Sequence, residues 1–181
     1  MKLSVSILAL LALLLVSPES FANEASKSPY AGQEKRQIKS LSEKDVDDLL
    51  NGRGWGLAKA AELNGMPGPA HLIEFADKIG LSDKQRASIQ ALFLHMQSQA
   101  IQFGTALVQQ ERNLDQMFAN KNVTRKSLAK QLEKIASVRS KLRQVHLETH
   151  LKTPAILTQH QVVTYNQLRG YSGKSDHSGH H

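Results

Sequence analysis

The 181-residue chain contains no cysteine. That absence excludes disulfides, a thiolate nucleophile, a thiolate metal ligand and the cysteine that carries a lipoprotein anchor. A metal would therefore have to be held by His, carboxylate or Met. Aromatic residues are scarce, at 5%, while alanine, glutamine and leucine are plentiful, a balance that suits long helices better than sheets. Long apolar runs are missing as well. The longest, Leu3 to Val16, falls short of the roughly 20 residues a helix needs to cross a bilayer. No Ser-His-Asp order and no glycine-rich phosphate loop is visible, so nothing in the motifs points to an enzyme.

The apolar run is preceded by Lys2 and followed by "SPESFA", which ends in Ser20-Phe21-Ala22. A charged start, an apolar stretch and a small-residue end are the parts of a secretory signal, expected over 1–22 with cleavage after Ala22. The mature chain then fits one soluble domain. Formal net charge is +7, and the excess is local: between Lys121 and Lys152 nine Lys/Arg stand against Glu133 and Glu148. Such a stripe attracts acidic partners or anionic lipid, or is simply a solvated helix face. Export argues against nucleic acid as its partner.

Residues 23–41 are polar without a period and read as a flexible arm. Order is expected from Ser42, where Ser42 and Asp45 form a capping box, Val46, Leu49 and Leu50 make a short apolar face, and Gly52 stops the turn. "GLAKAAELNG" is a second short helix. "MPGPAHLIEFADKIGL" is a third, with Pro69 in its first turn, a face of Leu72, Ile73, Ala76 and Ile79, and Gly80 as its cap. From Ser82, Ile89, Leu92, Phe93, Met96, Phe103, Leu107, Leu114 and Phe118 recur at helical spacing. They predict one helix of about 36 residues, some 54 Å long, with Gly104 as its soft spot. "NKNV" turns the chain and Thr124 caps a returning helix that carries Leu128, Leu132, Ile135, Val138, Leu142 and Val145 as far as Pro154. A last helix spans about Gln159 to Arg169. Residues 172–181, "SGKSDHSGHH", read as a disordered His-rich tail. The fold class is all-α: a long antiparallel hairpin with short flanking helices over 42–171. So thin a hairpin buries only one stripe per helix, and a second copy is its natural cover.

Two helix starts share one device. "LSDKQ" (81–85) and "LTQHQ" (157–161) both read Leu, Ser/Thr, two variable residues and Gln, which is a reciprocal capping box. Leu157 can staple against Val162, whereas Arg86 stands at the equivalent position of the first copy. A pair of such boxes on an exported, basic, cysteine-free helical chain resembles the Spy/CpxP family of periplasmic chaperones, over roughly 66–171. "GLAKAAELNGMPGPAHLIEFADKIGLS" and "HLETHL" are similar to its heavy-metal sensor and resistance subgroup. The resemblance implies a periplasmic stress protein with a hooked hairpin that dimerises into a curved cradle, without enzyme activity. It implies unfolded or acidic periplasmic proteins as partners and metal binding; a further reading is an adaptor that docks on a membrane sensor kinase through the basic stripe.

"HLETH" places His146 and His150 four apart. With the stripe centred on Leu142, His146 lies about 40° from its centre and His150 about 80°. One reading is a pair of core-edge histidines beside Arg139 and Arg143. The other is two imidazoles presented to one zinc, nickel or copper ion. Two ligands are too few for tight binding, and His71 or Glu111 can supply a third. The nickel and cobalt sensors of the resembled group use helix histidines plus a carboxylate; of their first-helix His pair only His71 is present here, because position 75 is Phe75. The expected set is therefore His71, Glu111, His146 and His150, with His177, His180 and His181 of the tail as weaker ligands. A zinc protease is excluded, since Leu147 stands where its general base belongs. His95 reads as structural.

Overall fold

The computed structural model describes residues 28–171. Residues 28–31 form a turn closed by Ala31 N–H on Ser28 O (2.9 Å), and a second unit begins at Gly32. That body is built from a short 3-10 turn, Gln33–Lys35, and from α1 (Glu43–Leu50), α2 (Lys59–Glu62), α3 (Pro69–Glu74), α4 (Ala76–Ile79), α5 (Asp83–Ala119), α6 (Arg125–Lys152) and α7 (Gln159–Leu168). Among the described residues there is no strand. The all-helical hairpin expected from the sequence is present: α5 is 37 residues long and α6 packs back along it.

Local chemistry sets the helix boundaries. Ser42, Ser82, Thr124 and Thr158 are all N-caps in extended conformation, and each accepts from the backbone N–H three residues on while that residue's side chain returns to the cap. Satisfying these otherwise orphaned donors is worth about 1 kcal/mol per cap. Gly80 ends α4 with φ 69°, in the left-handed region where a side chain is strained. The single helix expected over 69–79 is divided at Phe75 (φ −98°, ψ 15°), and Ile73, expected on its apolar face, is 36% exposed.

Two apolar clusters hold the body together. The larger joins Leu49 of α1, Met96, Ala100, Leu107 and Val108 of α5, and Ile135, Leu142 and Val145 of α6. The smaller joins Leu72, Ala76 and Ile79 of α3 and α4 to Ile89 and to Tyr165 of α7. Gly104 is a contact point where the sequence suggested a soft spot. A Cβ there would stand 2.0 Å from the Leu49 carbonyl oxygen, so only glycine lets the end of α1 lie on α5.

The arm expected over 23–41 is not free over its described second half. Ile38 and Leu41, three residues apart, are buried in the larger cluster. Lys39 N–H donates to Asp115 Oδ1 (3.2 Å) and Ser40 Oγ to Glu111 Oε2 (2.9 Å), which lays this segment along α5. The expected signal segment 1–22 and the His-rich tail lie outside the described residues.

Candidate functional site

The two boxes meet. Gln85, which closes the box of α5, donates from Nε2 to Gln161 Oε1 (2.8 Å) and to the Ile156 carbonyl (2.9 Å). Gln161, which closes the box of α7, donates from Nε2 to Gln85 Oε1 (3.1 Å) and to the Gly80 carbonyl (3.1 Å). Each amide oxygen also accepts its own cap's N–H, from Ser82 (3.0 Å) and Thr158 (2.9 Å). Two local caps 76 residues apart are thereby converted into one tertiary clasp. Arg86, where the first copy lacks a staple, bonds the Leu81 carbonyl (3.0 Å) and Asp77 (2.6 Å) instead.

A cavity of about 620 Å³, which none of the clasp residues lines, lies among α2, α3, α5 and α6. Its floor is α6, which presents His146 and His150 one turn apart; His146 is buried as its angular position predicted, and His150, expected at the margin of the stripe, is buried as well. His150 Nδ1 stands 2.9 Å from the Met66 carbonyl oxygen. A carbonyl only accepts, so Nδ1 carries a proton and donates it here. The ring lies against Gly68, where a Cβ would be 2.7 Å from His150 Cε1, which explains the glycine between Pro67 and Pro69. Thr153 fixes the same loop by donating to the Pro67 carbonyl (2.5 Å).

His146 is only 2% exposed, and its Nε2 is buried with no hydrogen-bond partner among the described residues. Burial, and secondarily the neighbouring His150, push its pKa down to about 4, so the ring is neutral at pH 7. Arg169 Nε, on the same lining, is likewise buried and has no partner among the described residues.

Glu62 at the end of α2 supplies the cavity's carboxylate. Its Oε1 accepts from Arg169 Nη2 (2.6 Å), Tyr171 OH (2.8 Å) and Tyr165 OH (3.4 Å), and lies 3.5 Å from His71 Nδ1. Burial works against its charge, but the hydrogen bonds from Tyr171 and Arg169 prevail and hold its pKa below the ordinary value. Burial also pushes the fully enclosed Tyr165 hydroxyl up to about 12.

The far wall is "NGRGWG", residues 51–56. Trp55 adopts a left-handed φ of 43°, uncommon for so bulky a side chain. Its Nε1–H donates to Asp45 Oδ1 (2.8 Å), and the Arg139 guanidinium sits 5.0 Å from the ring centre. Hydrogen bonds from Ser42 and from Trp55 hold the Asp45 pKa below its ordinary value. Arg53 is fixed by Asp47 and by Asp48 (3.0 Å).

Of the expected metal set, His71, His146 and His150 line this one cavity, and Glu111 does not. Gln131 Nε2 bonds the Gln110 carbonyl (2.8 Å), so Glu111 sits opposite the first half of α6, hydrogen-bonded to Ser40. Met96, which shares the cavity with His146, is 15 residues away, about 22 Å along the helix. Glu62, which no motif marks, takes the place expected for Glu111. Among the described residues no three His, Asp or Glu side chains are arranged to hold one metal ion. His95 is exposed on α5, and His177, His180 and His181 lie outside the described residues. No helix among those described is long and apolar enough to cross a membrane. Compared with protein-family models, with curated proteins and with solved structures, the chain matches none.

Proposed function

We infer that this chain is an exported, non-enzymatic binding protein of the Spy/CpxP kind, which holds unfolded or acidic partner proteins on the outside of its hairpin, as a homodimer. The observation that carries the reading is the clasp of Gln85 and Gln161, because it gives both copies of the repeated box one architectural purpose. The surface supports it. Lys126, Lys130, Lys134, Lys141 and Lys152 fall within about 80° of one another around α6; all are exposed, and none is ion-paired with another of the described residues. Phe118, Leu132 and Leu151 are each about half exposed or more. Positive charge brings an acidic chain in at long range, and scattered apolar contacts then hold it weakly. Suppression of aggregation of a denatured acidic protein tests this. The native chain should suppress it, and Lys126→Glu with Lys130→Glu and Lys134→Glu should abolish most of the effect at low salt. Equal activity of the charge-reversed chain rejects the basic face.

A second reading, a divalent zinc, nickel, cobalt or copper ion at His146 and His150, is favoured by one observation. Both rings are buried one turn apart on a common cavity, and in the neutral ring the proton on His150 Nδ1 leaves its Nε2 free to ligate. His71 lines the same cavity, and the remaining positions would fall to solvent. Calorimetric titration of a chain with its three tail histidines replaced by serine tests this; retention of full affinity by His146→Leu/His150→Leu rejects it.

A further inference from the structure

We propose that the cavity among α2, α3, α5 and α6 binds a small amphipathic anion, an apolar aryl-bearing body that ends in one carboxylate, with the carboxylate at Lys59 and the body against Trp55 and Phe93. This goes beyond partner-protein and metal binding. A volume of about 620 Å³ lies within the range of small-molecule sites and far exceeds the roughly 30 Å³ share of one water. Trp55, Phe93, Met96 and Pro69 supply its apolar lining. Trp55 and Phe93 are only half-buried, so both rings keep surface for an apolar body to cover. The loop that carries the indole is pinned in place. A Cβ on Gly52 would stand 2.8 Å from the Gln97 carbonyl oxygen, which seats the start of the loop on α5. Trp55 itself is held at its left-handed φ of 43° by Asp45 and Arg139, and such strain persists only where the surroundings over-determine it.

The charges of the lining set the sign of the occupant. Arg169 is paired with Glu62, which Tyr171 also engages. Arg53 is bonded by Asp47 and Asp48, and Lys44 reaches Asp48 as well, so these two cations and two carboxylates balance. His71 faces Glu62 at 3.5 Å, His150 gives its Nδ1–H to the Met66 carbonyl, and His146 Nε2 is sealed from solvent. Lys59 is left over. Its ammonium has no hydrogen-bond or ion-pair partner among the described residues. The stem folds back over the loop, because a Cβ on Gly56 would lie 3.3 Å from Lys59 Cε and 3.7 Å from Nζ. The charge therefore stands beside the residue that follows Trp55, where the apolar wall meets solvent. One unbalanced positive charge next to aromatic rings suits a monoanion with an apolar body. A dianion finds no second unpaired cation on the lining, and a cation finds no unpaired carboxylate.

Trp55 is the sole tryptophan of the chain, so its emission reports on this cavity. The probes are 6-phenylhexanoate and 6-phenylhexan-1-ol, which share a body and differ in charge. They are titrated into the full chain at low salt, with a chelator present so that metal plays no part. Expected is a saturable change in Trp55 emission with one 6-phenylhexanoate per chain. The alcohol should bind about fivefold more weakly, the scale of a solvent-exposed ion pair, and high salt should remove most of that difference. Lys59→Gln, which keeps the stem and loses the charge, should bind both probes equally, and Lys59→Arg should keep the preference. Lys126→Glu with Lys130→Glu and Lys134→Glu, which reverses the basic face of α6, should bind 6-phenylhexanoate as the native chain does. The proposal is overturned by the absence of a saturable response, by equal affinity of the native chain for the two probes, or by a preference that survives Lys59→Gln. Loss of binding in the α6 charge-reversed chain overturns it as well, because the probe then belongs to the basic face.

Discussion

Acidification should destabilise this protein through one residue more than any other. In the folded chain the His146 pKa lies at about 4, against 6.5 for a free imidazole, because the ring is buried and His150 adjoins it. Between those values the unfolded chain binds a proton that the folded chain refuses, so stability is full above pH 6.5 and falls as pH drops toward 4. A shift of about 2.5 units corresponds to about 3 kcal/mol at full extent, and to about 2.5 kcal/mol at pH 4.5, where the folded ring is still mostly neutral. For a domain of this size that lowers Tm by about 5–10 °C. The assay is urea unfolding followed by circular dichroism at pH 7 and pH 4.5, on the native chain and on His146→Leu. Asp45 and Glu62, whose carboxyl pKa values are lowered in the fold, lose stability at still lower pH, and they do so in both proteins. The native chain should lose about 2.5 kcal/mol more than the variant across this interval. Parallel losses would show that His146 is solvated or already paired, and would refute its description as a buried orphan.

Gln85→Ala and Gln161→Ala should each cost about 1–2 kcal/mol, and a double-mutant cycle should give a coupling of at least about 0.5 kcal/mol; strict additivity in urea unfolding would mean that the two boxes only cap their own helices. Gly104→Ala raises helix propensity by about 1 kcal/mol, yet it should lower stability by about 2 kcal/mol, because its Cβ meets the Leu49 carbonyl oxygen; a raised Tm would show that α1 does not rest there. Trp55→Phe should cost about 1–2 kcal/mol by leaving Asp45 Oδ1 without its indole donor, and an unchanged unfolding midpoint would show that the loop is held by other contacts.

What could be read from the sequence was set by the range of the interactions. The helices and their caps depend on neighbours within four residues, so the 3.6-residue spacing from Ile89 onward and the Ser/Thr…Gln boxes located α5, α6 and α7 to within a residue or two. The inward direction of His146 followed from its angle to Leu142, which is also local. The clasp did not follow, because a capping glutamine carries no mark of a second partner 76 residues away. Glu111 failed for a related reason. Angle places a residue on a face, but only the register of α5 against α6, fixed by Gln131 on Gln110, says how far along it lies. Ile38 and Leu41 were hidden by the polar residues around them, although their spacing of three was present. Glu62 sits on a four-residue helix too short to show a period.

The two ends of the hairpin are built differently, and this bears on how a partner would be held. At the cavity end, short helices, two glycine-containing loops and the clasp surround α5 and α6, and the buried residues from Ile89 to Val108 face those from Ile135 to His150. Toward the turn, by contrast, no residue between Gln109 and Lys130 is buried. Local opening there exposes little additional apolar surface, so its free energy should fall well below that of global unfolding. Amide exchange over 112–128 should therefore be at least about tenfold faster than over 89–104 in dilute solution. If the dimer covers Phe118 and Leu132, the same amides should slow as protein concentration rises, since a second copy then removes them from solvent. Fast exchange at every concentration would leave this end free as the adaptable part of the proposed partner-binding surface. Exchange as slow as the core's at every concentration would contradict the loose tip described here.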